Sequence, residues 1–130
     1  MRGIRGATTV EKDEREQVSA AVRELLEAIL AANPDLRSAD IASAIFTVTD
    51  DIASAFPAAA ARHMGWEDVP MLCTREIPVP GSLPLCVRVL LHWNTEKTSQ
   101  EIRHVYLRNA KSLRPDWALL KTPQDSRKEA

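Results

Sequence analysis

The sequence lacks most of the groupings that announce catalytic chemistry. Its two cysteines, Cys73 and Cys86, form no C-x-x-C pair, and His63, His92 and His104 are widely dispersed, so no spacing suggests a zinc site. There is no P-loop, no G-x-G-x-x-G and no Ser-His-Asp ordering, which removes the usual phosphate cradles, dinucleotide folds and serine nucleophiles. No run of 18 apolar residues exists, so nothing reads as a membrane span. Met1-Arg2-Gly3-Ile4-Arg5 contains no apolar core of signal-peptide length. The expectation is a cytoplasmic protein with reduced thiols. Excess charge is missing too. Seventeen basic and eighteen acidic residues give a net charge of -1, which argues against general affinity for nucleic acid or anionic membrane.

What remains is an ordinary globular composition, 45% hydrophobic and 27% charged over 130 residues. That length fits one domain, burying roughly 65–70% of the surface its unfolded chain would expose. The reading places a single domain at 1–118 and a mobile tail at 119–130, where the charged residues lose periodicity. One asymmetry survives the near-neutral balance: 12 of the 17 basic residues are Arg and 5 are Lys. Arginine supplies fixed, planar, two-pronged grips on carboxylate or phosphate, whereas solubility alone would be served by lysine.

Residues 2–10 read as a short strand, with Arg5 on the same face as Gly3 and Ala7, small neighbours that leave room for its guanidinium. Asp13 and Glu16 form a capping-box-like start to a helix that runs to about Asn33. Val18, Val22, Leu25, Leu26, Ile29 and Leu30 make its apolar stripe. Ile41–Thr49 reads as a buried strand, and Pro57 suits the first turn of a short helix, 57–64, closed by Gly65 at C′. Val69–Ile77 and Leu85–Trp93 are further strands, separated by a proline-rich loop. In the second of them Val87, Val89, Leu91 and Trp93 share one face, and Cys86, Arg88, Leu90 and His92 the other. A last strand spans Ile102–Leu107. The order predicts an α+β domain with a mixed five-stranded sheet, one long helix and short helices. One long helix covers one sheet face; the other, rich in Val and Leu, should meet another subunit.

Arg88 is the leading candidate. Mid-strand, it must either point to solvent or meet an anion, and its neighbours on that face, Cys86 and Leu90, do not suit a wet surface. Glu76 reads first as an ion-pair partner for a nearby base, Cys73 as a small core residue and Tyr106 as interface packing. A spacing of three puts Cys73 and Glu76 on opposite strand faces unless the strand ends or bulges near Thr74.

Five ordered strings then become specific: RGIRGATTVEKD, FPAAAAR, VPMLC with Glu76 after it, CVRV, and IRHVYLRNAKSLRPD. Together they resemble the monofunctional, trimeric α+β class of chorismate mutase, from residue 2 to about 118. The resemblance implies a pseudo-α/β barrel homotrimer with active sites between subunits and chorismate as substrate, rearranged to prephenate for phenylalanine and tyrosine synthesis. It implies no cofactor and no metal. By motif, Arg88 and Glu76 become catalytic, while Arg5, Tyr106 and the stretch Leu72, Cys73, Thr74, Arg75 line the ligand. Phe56, Ala58 and Arg62 complete the pocket from the adjacent subunit, with Leu113 and Arg114 near its mouth. Position 59 is Ala where some relatives carry a lysine, so Arg62 or Lys121 would have to substitute. The competing expectation is a non-catalytic trimeric binding module for a small dicarboxylate metabolite.

Overall fold

The computed structural model describes residues 1–116. The expected tail at 119–130, with Lys121, lies outside the described residues. Strand β1 (Arg2–Thr9) leads to helix α1 (Arg15–Ala32), β2 (Ile41–Val48), the short helix α2 (Pro57–His63), β3 (Met71–Arg75), β4 (Cys86–Trp93) and β5 (Val105–Tyr106). The strands form one mixed sheet in the order β3-β2-β4-β1-β5. β1 and β2 pair antiparallel with β4, while β3 and β5 add in parallel at the two edges.

Alternation divides the sheet into a covered and an open face. Ile4, Phe46, Val87 and Leu91 are fully buried together with Val18, Val22, Leu25, Leu26 and Ile29 of α1. This is the stripe predicted for the helix, packed on the β4 residues predicted to share a face. Gly6 allows the close approach: a Cβ there would lie 2.8 Å from Ile29 Cδ1 and 3.3 Å from Leu25 Cδ1. The open face carries Arg5 and Ala7 of β1, Thr47 of β2 and Arg88 of β4. Ala7 and Thr47 flank Arg88 in register on its two sides.

Several boundaries differ from the sequence reading, each for a local reason. α1 begins at Arg15, and its N-cap Glu14 makes no side-chain capping bond. Asp13 is not the cap. Its carboxylate accepts the amide N–H of Ala53 at 3.0 Å and of Ser54 at 3.1 Å, donors that a distant loop would otherwise leave unmet. β4 starts at Cys86 because Leu85 has a φ of 51°, outside strand geometry. β3 spans 71–75 instead of 69–77, bounded by Pro70 and by the Pro78 loop. β5 is only two residues long because side chains replace its ladder. Asn33 pairs with the Arg103 backbone (Nδ2 to O 2.9 Å, N to Oδ1 3.0 Å), and His104 Nδ1 accepts the Arg5 amide at 3.0 Å.

Candidate active site

Arg88 sits on the open face with a side chain 27% exposed, neither solvated nor sealed. Its Nε lies 3.5 Å from Glu76 Oε2, and within the described residues that buried nitrogen makes no hydrogen bond. Glu76 follows directly on β3, where its N–H still donates to the Val48 carbonyl at 3.0 Å. Its carboxylate turns onto the open face and accepts a short hydrogen bond from the Thr47 hydroxyl. Thr47 therefore holds one oxygen of the acid that faces Arg88. The pair lines a cavity of about 240 Å³ whose other walls come from Thr49–Asp51 and the loop Ile77–Pro84.

Tyr106 stands beside this cavity. It is buried with Ala7, Cys86 and Ala110, and Leu83 and Leu113 pack against the cluster. Burial pushes its phenol up, opposed by the positive charges of Arg5, Arg114 and Arg88. Tyr106 thus feels the positive charge of Arg5, Arg114 and Arg88, against the negative charge of Asp116. Burial also raises the Cys86 thiol, with Arg88 opposing it. Arg114 is held in a two-pronged pair with Asp116, at 3.2 and 3.0 Å. A neutral Cys86 behaves as a small apolar residue that packs the floor beneath Arg88.

The remaining expected residues fall elsewhere. β3 keeps regular alternation through Arg75, so no bulge brings Cys73 to Glu76, and Cys73 packs against the main core. Cys73, Thr74 and Arg75 line a second cavity of about 560 Å³ together with Phe56, Ala59, Arg15 and His63. Leu72, by contrast, is 69% exposed on the open face, register partner of Ile45. Arg75 directs its Nη1 to the carbonyls of Thr49 (3.0 Å) and Ile52 (2.9 Å). Phe56, immediately before α2, is 71% exposed, and Arg62 is exposed in the last turn of α2. Ala58, expected beside them, is buried within its own chain. Phe56 and Arg88 line different cavities of the same chain.

Three contributors escaped the sequence reading: Thr47, His104 and Asp13. Thr47 alone left a signal, since alternation with buried Phe46 and Val48 puts it on the open face beside Arg88.

A mixed sheet whose open face gathers arginines, a carboxylate and a phenol offers fixed charge to a small anion. The model of the family described as chorismate mutase type I matches residues 1–117. The chain is 55% identical over 116 residues to chorismate mutase AroH of Thermus thermophilus, covering 89% of this chain and 95% of that protein. It is 40% identical over 125 residues to chorismate mutase AroH of Bacillus subtilis strain 168, covering 95% and 98%. A solved chorismate mutase from Clostridium thermocellum superposes with a TM-score of 0.84 at 47% identity, covering 86% of this chain and 99% of that one. The chain belongs to the chorismate mutase type I family. Among the described residues no helix is long and apolar enough to cross a membrane.

Proposed function

We infer that the protein is a chorismate mutase, converting chorismate to prephenate in aromatic amino acid biosynthesis. The observation that carries the mechanism is the Arg88–Glu76–Thr47 arrangement on the open face that also holds Tyr106. The reaction is a unimolecular pericyclic shift, so the catalyst must select a compact conformer and stabilise developing charge. Chorismate is a flexible dianion. Arginines can grip its two carboxylates bidentately, and Arg5 with Tyr106 would position the side-chain carboxylate.

As the ether C–O bond breaks, negative charge grows on oxygen. Arg88, whose Nε makes no hydrogen bond within the described residues, can donate there. A preorganised donor of this kind is worth about 3–4 kcal/mol in the transition state. Glu76 would hold the substrate hydroxyl while Thr47 fixes its carboxylate. Leu72 and Thr74, in register with Ile45 and Thr47 on the open face, would line the approach, whereas Cys73 and Arg75 would reach a ligand only from the cavity they share with Phe56.

The site would be completed in a homotrimer. Phe56 and Arg62 face a cavity or solvent away from Arg88 in their own chain, so a neighbour's Phe56 and Arg62, with Ala58 behind them, would supply the missing wall. Leu113 and Arg114 lie toward the mouth. The exposed open face, with Leu72 beside Ile45, supports burial against another copy. Arg62 would take the role of a cation near Ala59. We place the enzyme in the cytoplasm with small-molecule substrate only, acting without metal or coenzyme.

Purified protein should consume chorismate, followed by loss of its diene absorbance, and Arg88→Lys should nearly stop it. Saturable binding of chorismate without turnover would favour the dicarboxylate-binding module and overturn the catalytic reading.

A further inference from the structure

The segment joining β2 to α2 is gripped from two sides by opposite charges. Asp13, from the β1–α1 connection, takes the amide N–H groups of Ala53 and Ser54 at 3.0 and 3.1 Å. Arg75, at the end of β3, gives Nη1 to the carbonyls of Thr49 and Ile52 at 3.0 and 2.9 Å. Four backbone groups within six residues are thus satisfied by two side chains from different elements. The charge of Arg75 adds a small pull on Asp13, well below that of the hydrogen bonds. The next residues of this segment are Ala55 and Phe56, then Pro57 opens α2 and carries Arg62 one and a half turns on.

We propose that Asp13 and Arg75 form a clasp that positions Phe56 and Arg62 for the active site of the neighbouring subunit. This rests on the reading above that these two residues close the neighbour's site. Neither Asp13 nor Arg75 then touches substrate; both are positioning residues. The clasp accounts for an Asp13 side chain that does not cap its helix and for an arginine, expected from the resemblance to line the ligand, whose Nη1 holds backbone instead. Phe56 is largely exposed in its own chain, so its placement depends on backbone held from outside the segment. Placement errors of about 1 Å can cost on the order of a hundredfold in rate, even from mutations remote from the chemistry.

Subunit mixing separates positioning from general damage. Asp13→Ala alone should lower kcat/KM about 10- to 100-fold while circular dichroism and trimer mass stay native. Asp13→Asn, which keeps one acceptor, should fall between it and wild type. Co-expression of Asp13→Ala with Arg88→Lys should regain activity, because some sites then join an intact Arg88 to a neighbour's intact clasp. Random cyclic trimers place about a quarter of all sites in that state. A parallel mixture of Arg62→Ala with Arg88→Lys tests the interfacial reading itself. Recovery there, with Asp13→Ala kcat/KM within twofold of wild type, overturns the clasp alone. Loss in Asp13→Ala with no recovery on mixing also overturns it, provided the Arg62→Ala mixture recovers. No recovery in the Arg62→Ala mixture overturns the interfacial reading. If Asp13→Ala does not fold, Asp13→Asn carries the same comparison.

Discussion

Glu76 faces Arg88 across 3.5 Å and receives the Thr47 hydroxyl on the same oxygen, Oε2. One carboxylate oxygen is therefore shared between an orienting hydroxyl and a cation whose Nε has no hydrogen bond within the described residues. That nitrogen keeps a donor for an anion that arrives.

Arg88→Lys should lower kcat by at least about a thousandfold with the fold kept, because a flexible ammonium cannot reproduce the planar donor set at the ether oxygen. Chorismate consumption under saturating substrate checks it. A variant retaining near wild-type kcat would remove Arg88 from the mechanism.

Thr47→Val keeps shape but takes one hydrogen bond from Glu76. A hydrogen bond to a charged group is worth about 1.5–3 kcal/mol, so kcat/KM should fall roughly 10- to 100-fold. Adding Glu76→Ala to Thr47→Val should cost no more than Glu76→Ala alone. Additive losses in that double-mutant cycle would mean that Thr47 acts by another route.

The comparison of sequence with structure turns on distance along the chain. The α1 stripe, the alternation of Val87, Val89 and Leu91 and the open-face position of Arg88 follow from periodicity, a local property. Asp13 shows where that stops: D-x-x-E looks like a cap, but Ala53 and Ser54, forty residues away, present better unmet donors. The same holds for β5, whose length depends on Asn33 and His104 side chains taking ladder positions. The arginine excess pointed toward an anion; that Arg5, Arg88 and Arg114 act electrostatically on Tyr106 while Arg75 holds a loop required the pairing of strands.

Gly6→Ala should destabilise by about 1–3 kcal/mol, since the new methyl would meet Ile29 Cδ1 at 2.8 Å in a fully buried layer. Denaturant melts give the difference directly. An unchanged midpoint would show that α1 can lift from the sheet without loss.

Cys86 is fully buried and its thiol is pushed up by burial, whereas Cys73 is half-buried. A thiolate-directed reagent should leave Cys86 unmodified in the native protein and reach both cysteines only after denaturation. Peptide mapping that found Cys86 labelled before unfolding would contradict this packing.

Asp13 gives the last test, in pH. Its carboxyl is held below the ordinary value of 3.8, first by Ser54 and then by the Ala53 amide, despite an opposing desolvation. A folded pKa below the unfolded one means that the native state binds fewer protons there. The stabilisation is then complete above the unfolded value and disappears as pH falls through the folded one. Asparagine at this position cannot titrate. The difference in Tm between wild type and Asp13→Asn should therefore stay level from about pH 7 to about pH 5 and shrink steadily below about pH 4. A difference that stayed constant down to pH 3 would mean that Asp13 keeps no charge-dependent hold on the Ala53–Ser54 turn.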